Sequence, residues 1–526
     1  MAVAEILQSL SRQAEGHPFE LLSKGLAVAL LIYVIANEVV RSKARLSAFP
    51  GPRGLPLIGN LHQVRHDAAE KYREWSREYG AVFQVQLGNI PVLVINSALA
   101  AKVILGHNSQ AVASRPELYT FHKVLAVADI LQIVANTAGT TIGTSPYNES
   151  LKRRRKGAAS ALNRPSIETY LPHLDLETRD FLKDVLTYGK AGKKPIDPMP
   201  LVQRLSLSLA VTLNWGFRFP SADDPLFKEI IEVEVNISRF RSVTDNLQDY
   251  VPLMRANPFL AGTRQAREMR SRRDRYLAKL NGDLKEKVRR GDHEPCIQAN
   301  VMLDEEAKLD EVELTSISLT MLSAGFETFS TVTAWAIGWL AKNPDVQRKA
   351  LEAIREVNGD GGELCDVGDD QTCPYVRALV RESLRYFTVL RLSLPRATNK
   401  EFVYEGKVVP KGTVIFLNSW ACNMDREIWD DPEVFRPERW LENPEAPMFT
   451  YGMGYRMCAG TMLANRELYL TFMRMIASFE ISATGEIDSN PLTGVDDKRN
   501  LVLAPKPFEV RFTPRDEGAL RKALGL

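Results

Sequence analysis

The 526-residue sequence predicts a mainly α fold with a minor β part, preceded by an N-terminal membrane anchor. Three observations carry that reading. Apolar residues recur with helical spacing over long stretches, at 201–216, 311–342 and 346–357. Short β-rich runs stand near both ends of the body, at 81–96 and 402–418. An apolar segment lies close to the N-terminus, and basic residues follow it at once.

Composition fits an ordinary globular protein with a large core, at 45% hydrophobic and 25% charged residues. No segment is repeated or of low complexity, so residues 61–526 are expected to form one body. A net charge of +2 exerts no global pull on nucleic acid, and no nucleic-acid motif is present.

The anchor comes first. Gly25 to Ala36 reads GLAVALLIYVIA, and Val39 and Val40 extend the run past Asn37 and Glu38. A crossing needs about 20 residues, so a span over about 21–40 requires Lys24 and Glu38 at the interfaces. Arg41, Lys43 and Arg45 favour the cytosol for the following end. Glu5, Glu15 and Glu20 occupy the stretch where a cleaved signal peptide would be basic. Residues 1–45 therefore read as the anchoring segment. Residues 46–60 contain FPGPRGLPLIGN, where alternating Pro and Gly give a stiff, non-helical elbow.

Within the body, Gly88-Asn89 breaks the first β-rich run as a hairpin turn would. The second run, around Phe402 to Asn418, has the same look. The cysteines are Cys296, Cys365, Cys373, Cys422 and Cys458, with no C-x-x-C pair. An odd, scattered set is no disulfide framework, and zinc would want clustered Cys and His. Four of them read as reduced thiols.

Cys458 differs, because YGMGYRMCAG (Tyr451 to Gly460) sets it among glycines with Arg456 two positions before it. It could be inert, a nucleophile or a metal ligand. Gly452, Gly454 and Gly460 let the backbone turn tightly and approach a flat ligand. An apolar helical stretch follows, so the thiol stands just before a helix N-terminus, which favours a thiolate. That suits an axial ligand to haem iron. A nucleophile would want a His base, and none of the seven His lies near the loop in sequence.

The loop resembles the haem-binding signature of the cytochrome P450 superfamily, F-x-x-G-x-R-x-C-x-G. Gly454, Arg456, Cys458 and Gly460 match, while Tyr451 stands where Phe is usual and brings a hydroxyl beside the thiolate. AGFET (Ala324 to Thr328) resembles the oxygen-activation motif: Gly325 and Thr328 would open the helix locally, Thr328 would hold water or oxygen, and Glu327 would relay protons. ESLR (Glu382 to Arg385) and PERW, with Arg439, resemble the triad that braces the haem loop. LPRAT places Arg396 where the family pairs a haem propionate.

The resemblance covers essentially the whole chain. It implies the P450 fold, heme b (iron protoporphyrin IX) on Cys458, and electrons from an NADPH-cytochrome P450 reductase whose FAD and FMN stay on that separate protein. Cytochrome b5 would be a further electron donor. It also implies a single-pass anchor in the endoplasmic reticulum membrane, with the catalytic body on the cytosolic side. One departure stands out: where the family carries Trp-x-x-x-Arg against a propionate, YNESLKRRRKGA offers Tyr147 and Lys152 to Lys156, of which Arg153 is assigned to the haem. The remaining basic residues would steer an acidic reductase. Asn148-Glu-Ser is a formal glycosylation sequon that a cytosolic body leaves unused. Haem-thiolate isomerases, dehydratases and non-enzymatic haem sensors share such features, but the intact Glu327 and Thr328 favour a monooxygenase.

The stretches 114–126 and 140–182 resemble fungal hydroxylases of small monocyclic aromatics. One such group acts on phenylacetate and hydroxyphenylacetate, the other on m-cresol and m-hydroxybenzyl alcohol in patulin-type polyketide pathways. The expected pocket comprises Tyr119, Phe121, His122, Leu319 to Ala324 and Leu390 to Leu394. A buried carboxylate needs a paired cation, and these helix and loop stretches supply only Arg391 unless Arg115, Lys123 or Arg241 folds inward. A neutral phenol needs one hydrogen bond, from His122, Ser318 or Ser323. The sequence therefore favours methyl hydroxylation of m-cresol, with ring attack on m-hydroxybenzyl alcohol, phenylacetate or hydroxyphenylacetate as alternatives.

Overall fold

The structure is a computed structural model. It describes residues 18–118, 141–219, 221, 223–239, 242, 246–256, 261–306, 308–359 and 364–526. The helices used below are α1 (Pro18–Ala44), α2 (Ala68–Tyr79), α3 (Glu149–Ala161), α4 (Pro198–Trp215), α5 (Pro225–Arg239), α6 (Ala261–Arg290), α7 (Glu311–Lys342), α8 (Pro374–Phe387) and α9 (Thr461–Ser478).

Their ends follow local chemistry. Asp310 and Glu313 close a capping box at the start of α7. Asp197 caps α4, Pro198 fits its first turn, and Gly216 ends it at a φ of +63°. Asn148 caps α3 by accepting from the Leu151 N–H, so the sequon asparagine is a structural cap.

Helix α7 runs through the middle of the body and is apolar almost all round, as a mostly buried helix must be. Its Trp335 stacks on Phe387 of α8 at 5.0 Å between ring centres. Leu468 and Phe472 of α9 join the same core. Two runs read as long helices, 311–342 and 346–357, match helices at Glu311–Lys342 and Pro344–Asn358.

The β-rich run near the N-terminus is the expected hairpin, β1 (Val82–Leu87) and β2 (Ile90–Ile95), turning at Gly88 with φ +51°. The C-terminal run divides. β4 (Phe402–Tyr404) and β5 (Lys407–Val409) form a two-stranded ribbon. β6 (Val414–Leu417) joins the main sheet instead, parallel to β2 and antiparallel to the short β3 (Arg396–Ala397), in the order β1-β2-β6-β3. Its four residues are all buried, which explains a run without alternation. β7 (Phe479–Ala483) and β8 (Val510–Pro514) close a third, two-stranded sheet.

Residues Leu22–Ala44 of α1 are long and apolar enough to cross a membrane, with a mean hydropathy of 1.6, and Leu22, Leu26, Leu31 and Ile35 are exposed. The end of α1 docks on the body. Asn89 donates to Asn37 at 2.6 Å, and Glu38 accepts from the Leu57 N–H at 2.9 Å. The elbow is equally fixed: Gln84 N–H donates to Pro50 O at 2.8 Å, and Asn60 N–H to Gln86 O at 2.6 Å. Gly51 is required there, because a Cβ would lie 1.9 Å from Gln84 O.

Candidate active site

The cysteine loop leaves the core as a tight, glycine-dependent turn. Gly452 and Gly454 hold φ of +70° and +65°, and a Cβ on Gly454 would meet Leu105 O at 1.9 Å. The Cys458 N–H donates to Tyr451 O at 2.9 Å, which closes the turn just before α9. Cys458 is the exposed thiol, while Cys296, Cys365, Cys373 and Cys422 are buried. Surrounding protein still pushes the Cys458 thiol up, against the Gly460 N–H, the Thr461 hydroxyl and the charge of Arg155, which pull it down.

Tyr451 donates its hydroxyl to Asn465 Oδ1 at 3.0 Å, on the first turns of α9. The hydroxyl expected beside the sulfur is thus committed elsewhere. Burial, Cys458 and Glu467 hold that phenol far above its ordinary value.

Four arginines converge beside the loop. Arg396 donates to Met453 O at 2.6 Å. Arg456 donates to Ser145 O at 2.9 Å and to Ile142 O and Gly143 O at 3.2 Å. Arg115 donates to Gly143 O at 2.8 Å and Pro395 O at 2.7 Å. Arg155 lies over the Tyr455 ring at 5.3 Å. Burial and mutual repulsion push Arg456 down to about 9 and hold Arg115 well below the guanidinium range. Burial, with Arg155 beside it, pushes Arg396 down to about 10. Nη1 of Arg396 and Nη1 of Arg456 are buried without an acceptor. Buried cations need anions. Among the described residues no carboxylate pairs with these four, so the site fits a ligand with two acidic groups, as haem has.

Arg153 lies elsewhere. It pairs with Glu313 at 2.6 Å and is nearly half exposed, which contradicts its assignment to a propionate. Five consecutive basic residues face every side of α3, and packing decides among them: Arg154 is buried and donates to Ser316 at 2.7 Å, while Arg155 faces the arginine cluster. Tyr147 sets its ring edge-on to Tyr455 at 5.5 Å and donates to Gln110 at 3.3 Å.

On α7, Ala324 and Gly325 are exposed although they lie mid-helix between the buried Leu322 and Phe326. Thr328 donates to Ala324 O at 2.7 Å. Ser206 of α4 donates to Gly325 O at 3.3 Å and also to Phe326 O. The helix continues unbroken through Ala324 to Thr328, so the expected local opening is replaced by side-chain hydroxyls on its carbonyls. A Cβ at Gly325 would lie 3.7 Å from that of Ala210 on α4, an ordinary packing contact. Glu327 is half-buried.

The bracing triad forms as the motif implies. Arg385 binds Glu382 through two bonds of 2.7 and 2.8 Å, and Arg439 reaches the same carboxylate at 3.2 Å. Trp440 donates to it at 2.9 Å. Arg385 also holds Asn423 O at 3.0 Å, and the Asn423 side chain accepts from Phe449 N–H at 2.9 Å and donates to Thr450 at 3.0 Å. The chain of bonds ends one residue before Tyr451.

Of the expected pocket, Tyr119, Phe121, His122, Lys123 and Arg241 lie outside the described residues. The Ser318 hydroxyl is buried and committed to Thr315 O at 2.9 Å. Ser323 donates to Glu234 of α5 at 2.6 Å, and Tyr276 of α6 donates to the same carboxylate at 2.5 Å. Glu234 and Ser206 were not legible as site neighbours, since no motif marks them.

The family model described as Cytochrome P450 matches residues 49–512. The chain is 60% identical over 525 residues to a 3-hydroxyphenylacetate 6-hydroxylase of Emericella nidulans, covering 100% of both chains. It is 38% identical to a phenylacetate 2-hydroxylase of the same organism, over 95% of this chain and 96% of the other. A cytochrome P450 monooxygenase of Mycosarcoma maydis is 40% identical, over 94% and 93%.

Proposed function

The chain belongs to the cytochrome P450 family, and on that premise we propose that it hydroxylates the aromatic ring of a hydroxyphenylacetate. The observation that carries the substrate is the 60% identity, over both whole chains, to a 3-hydroxyphenylacetate 6-hydroxylase. The second relative, a phenylacetate 2-hydroxylase, points to the same acid class. Neither name supports m-cresol, so the sequence preference for a neutral phenol gives way to one of its alternatives.

The family implies haem-thiolate iron and a redox partner that delivers electrons, which suits an NADPH-dependent reductase. Cys458 would hold the iron, and Arg155, Arg396 and Arg456 the two propionates, with Arg115 adding charge behind them. When bound, the haem supplies the oxygen chemistry. The protein's own part is positioning and proton supply. Thr328 keeps a hydroxyl on the exposed turn of α7, Glu327 supplies protons next to it, and Ser206 occupies the carbonyls of Gly325 and Phe326. We further read α1 as the anchor in the endoplasmic reticulum membrane, 46–60 as a fixed elbow, and 61–526 as the catalytic body.

The test supplies 3-hydroxyphenylacetate, phenylacetate, m-cresol and m-hydroxybenzyl alcohol separately, with reductase and NADPH, and identifies products by mass and retention. A ring-hydroxylated arylacetate is expected. Turnover of the two neutral phenols with both acids untouched would overturn the reading.

A further inference from the structure

Ser323 stands on α7 one residue before the exposed Ala324, and is itself only half-buried. Four other hydroxyls of this helix give their protons back to it: Ser318 to Thr315 O, Thr320 to Ser316 O, Thr328 to Ala324 O and Ser330 to Phe326 O. Ser323 does not. It donates across the interface to Oε2 of Glu234 on α5 at 2.6 Å, while Tyr276 of α6 donates to Oε1 at 2.5 Å. Glu234 is buried, and Val233, Leu277, Leu322 and Phe326 belong to the apolar core around it. In such surroundings a carboxylate holds its hydrogen-bond donors firmly. Arg273, one turn before Tyr276 on α6, is a buried cation that acts on the Tyr276 phenol by charge.

This arrangement fixes the polarity of Ser323. A serine hydroxyl has one proton and two lone pairs. With the proton committed to Glu234, Oγ is left as an acceptor toward the side where Ala324 and Gly325 are bare. A phenol O–H can donate to it. A substrate carboxylate has no proton to give, and would meet the Glu234 carboxylate directly behind the serine.

We propose that Ser323, held by Glu234, accepts the hydrogen bond of the ring hydroxyl of a hydroxyphenylacetate and so selects that substrate. The inference rests on the hydroxyphenylacetate reading above and deepens it. The acetate arm is then directed away from Glu234, and the ring is pinned at one end. A pinned ring presents one edge to the haem, so the same hydrogen bond also sets which carbon is attacked. Glu234 is a positioning residue, since it acts on substrate only through Ser323.

Three acids of similar shape separate this role from a merely structural one. The full-length, haem-loaded protein in lipid vesicles is titrated with 3-hydroxyphenylacetate, 3-methoxyphenylacetate and phenylacetate, reading the absorption shift of the haem. The methoxy acid keeps the ring oxygen but has no proton to donate. The unmodified protein should bind the hydroxy acid more tightly than either of the others, by about fivefold. Ser323→Ala should remove that preference while phenylacetate affinity stays within about twofold, and should spread hydroxylation of the hydroxy acid over more than one ring position. Ser323→Thr should keep the preference. Glu234→Gln should diminish it, because a carboxylate no longer holds the serine proton. A loss shared equally by all three acids in Ser323→Ala, as a purely structural tie between α5 and α7 would give, overturns the proposal. No binding or turnover of any of the three acids by the unmodified protein would overturn the arylacetate reading together with it. Turnover of 3-hydroxyphenylacetate with no preference for it, or with a preference that Ser323→Ala leaves intact, sinks this inference alone.

Discussion

Arg396 donates from Nη2 to the carbonyl of Met453 at 2.6 Å, while its Nη1 is buried and finds no acceptor. One side chain thus ties the strand β3 to the cysteine loop and leaves a cation waiting for an anion. Arg456 repeats the pattern from inside the loop itself. Buried polar groups mostly have partners, so two orphaned guanidinium nitrogens in one arginine cluster point to an anionic ligand there.

The arginine assignment predicts a contrast within three residues. Arg155→Ala should lower the haem bound per protein several-fold, because its charge belongs to the buried cluster. Arg153→Ala should leave haem content near the parent, because its guanidinium is spent on Glu313 and not on the cluster. Haem-to-protein absorbance after purification reads both. Equal haem loss in the two variants would return Arg153 to the site.

Thr328→Ala should leave haem content unchanged while product per NADPH falls by about tenfold or more and hydrogen peroxide rises, because the hydroxyl that orders proton delivery is gone. Thr328→Ser should recover most of the coupling. Unchanged product per NADPH in the alanine variant would remove Thr328 from proton delivery.

Glu467 on α9, close enough to Tyr451 to raise that phenol, is itself pushed up by burial from 4.5 to about 8. Between those values the folded protein holds a proton that the unfolded chain has lost, so stability falls as pH rises through this window and levels off above about 8. The steepest slope is about 1.4 kcal/mol per pH unit. Glu467→Gln removes the titration and should be the more stable form toward the alkaline end of the window. Denaturation midpoints of both proteins from about pH 5 to about pH 8 check the sign. Parallel curves would mean that Glu467 is ionised in the fold.

Much of this was legible in the sequence, for identifiable reasons. The cysteine loop depends on Gly452 and Gly454 at positive φ, and glycine is conspicuous in a sequence. Glu382, Arg385 and Arg439 were legible only through the family resemblance, since a Glu and an Arg three apart on a helix are too common to mark a network. The helix Glu311–Lys342 carried its apolar, helically spaced surface in plain view. What failed depended on tertiary packing. Lys152 to Lys156 present charge on every side of α3, and only Glu313 and Ser316 on the neighbouring helix decide that Arg155 faces the cluster. Ser206 reaches the oxygen-side motif from a helix more than a hundred residues earlier, a distance no local pattern spans.

The central claim is a haem held by the Cys458 thiolate, and the absorption spectrum of the reduced protein under carbon monoxide tests it most directly. The unmodified protein should show the thiolate-type band, and Cys458→Ser should lose it while the buried triad of Glu382, Arg385 and Arg439 still keeps the fold. A Cys458→Ser protein that retained the thiolate-type band would contradict the account.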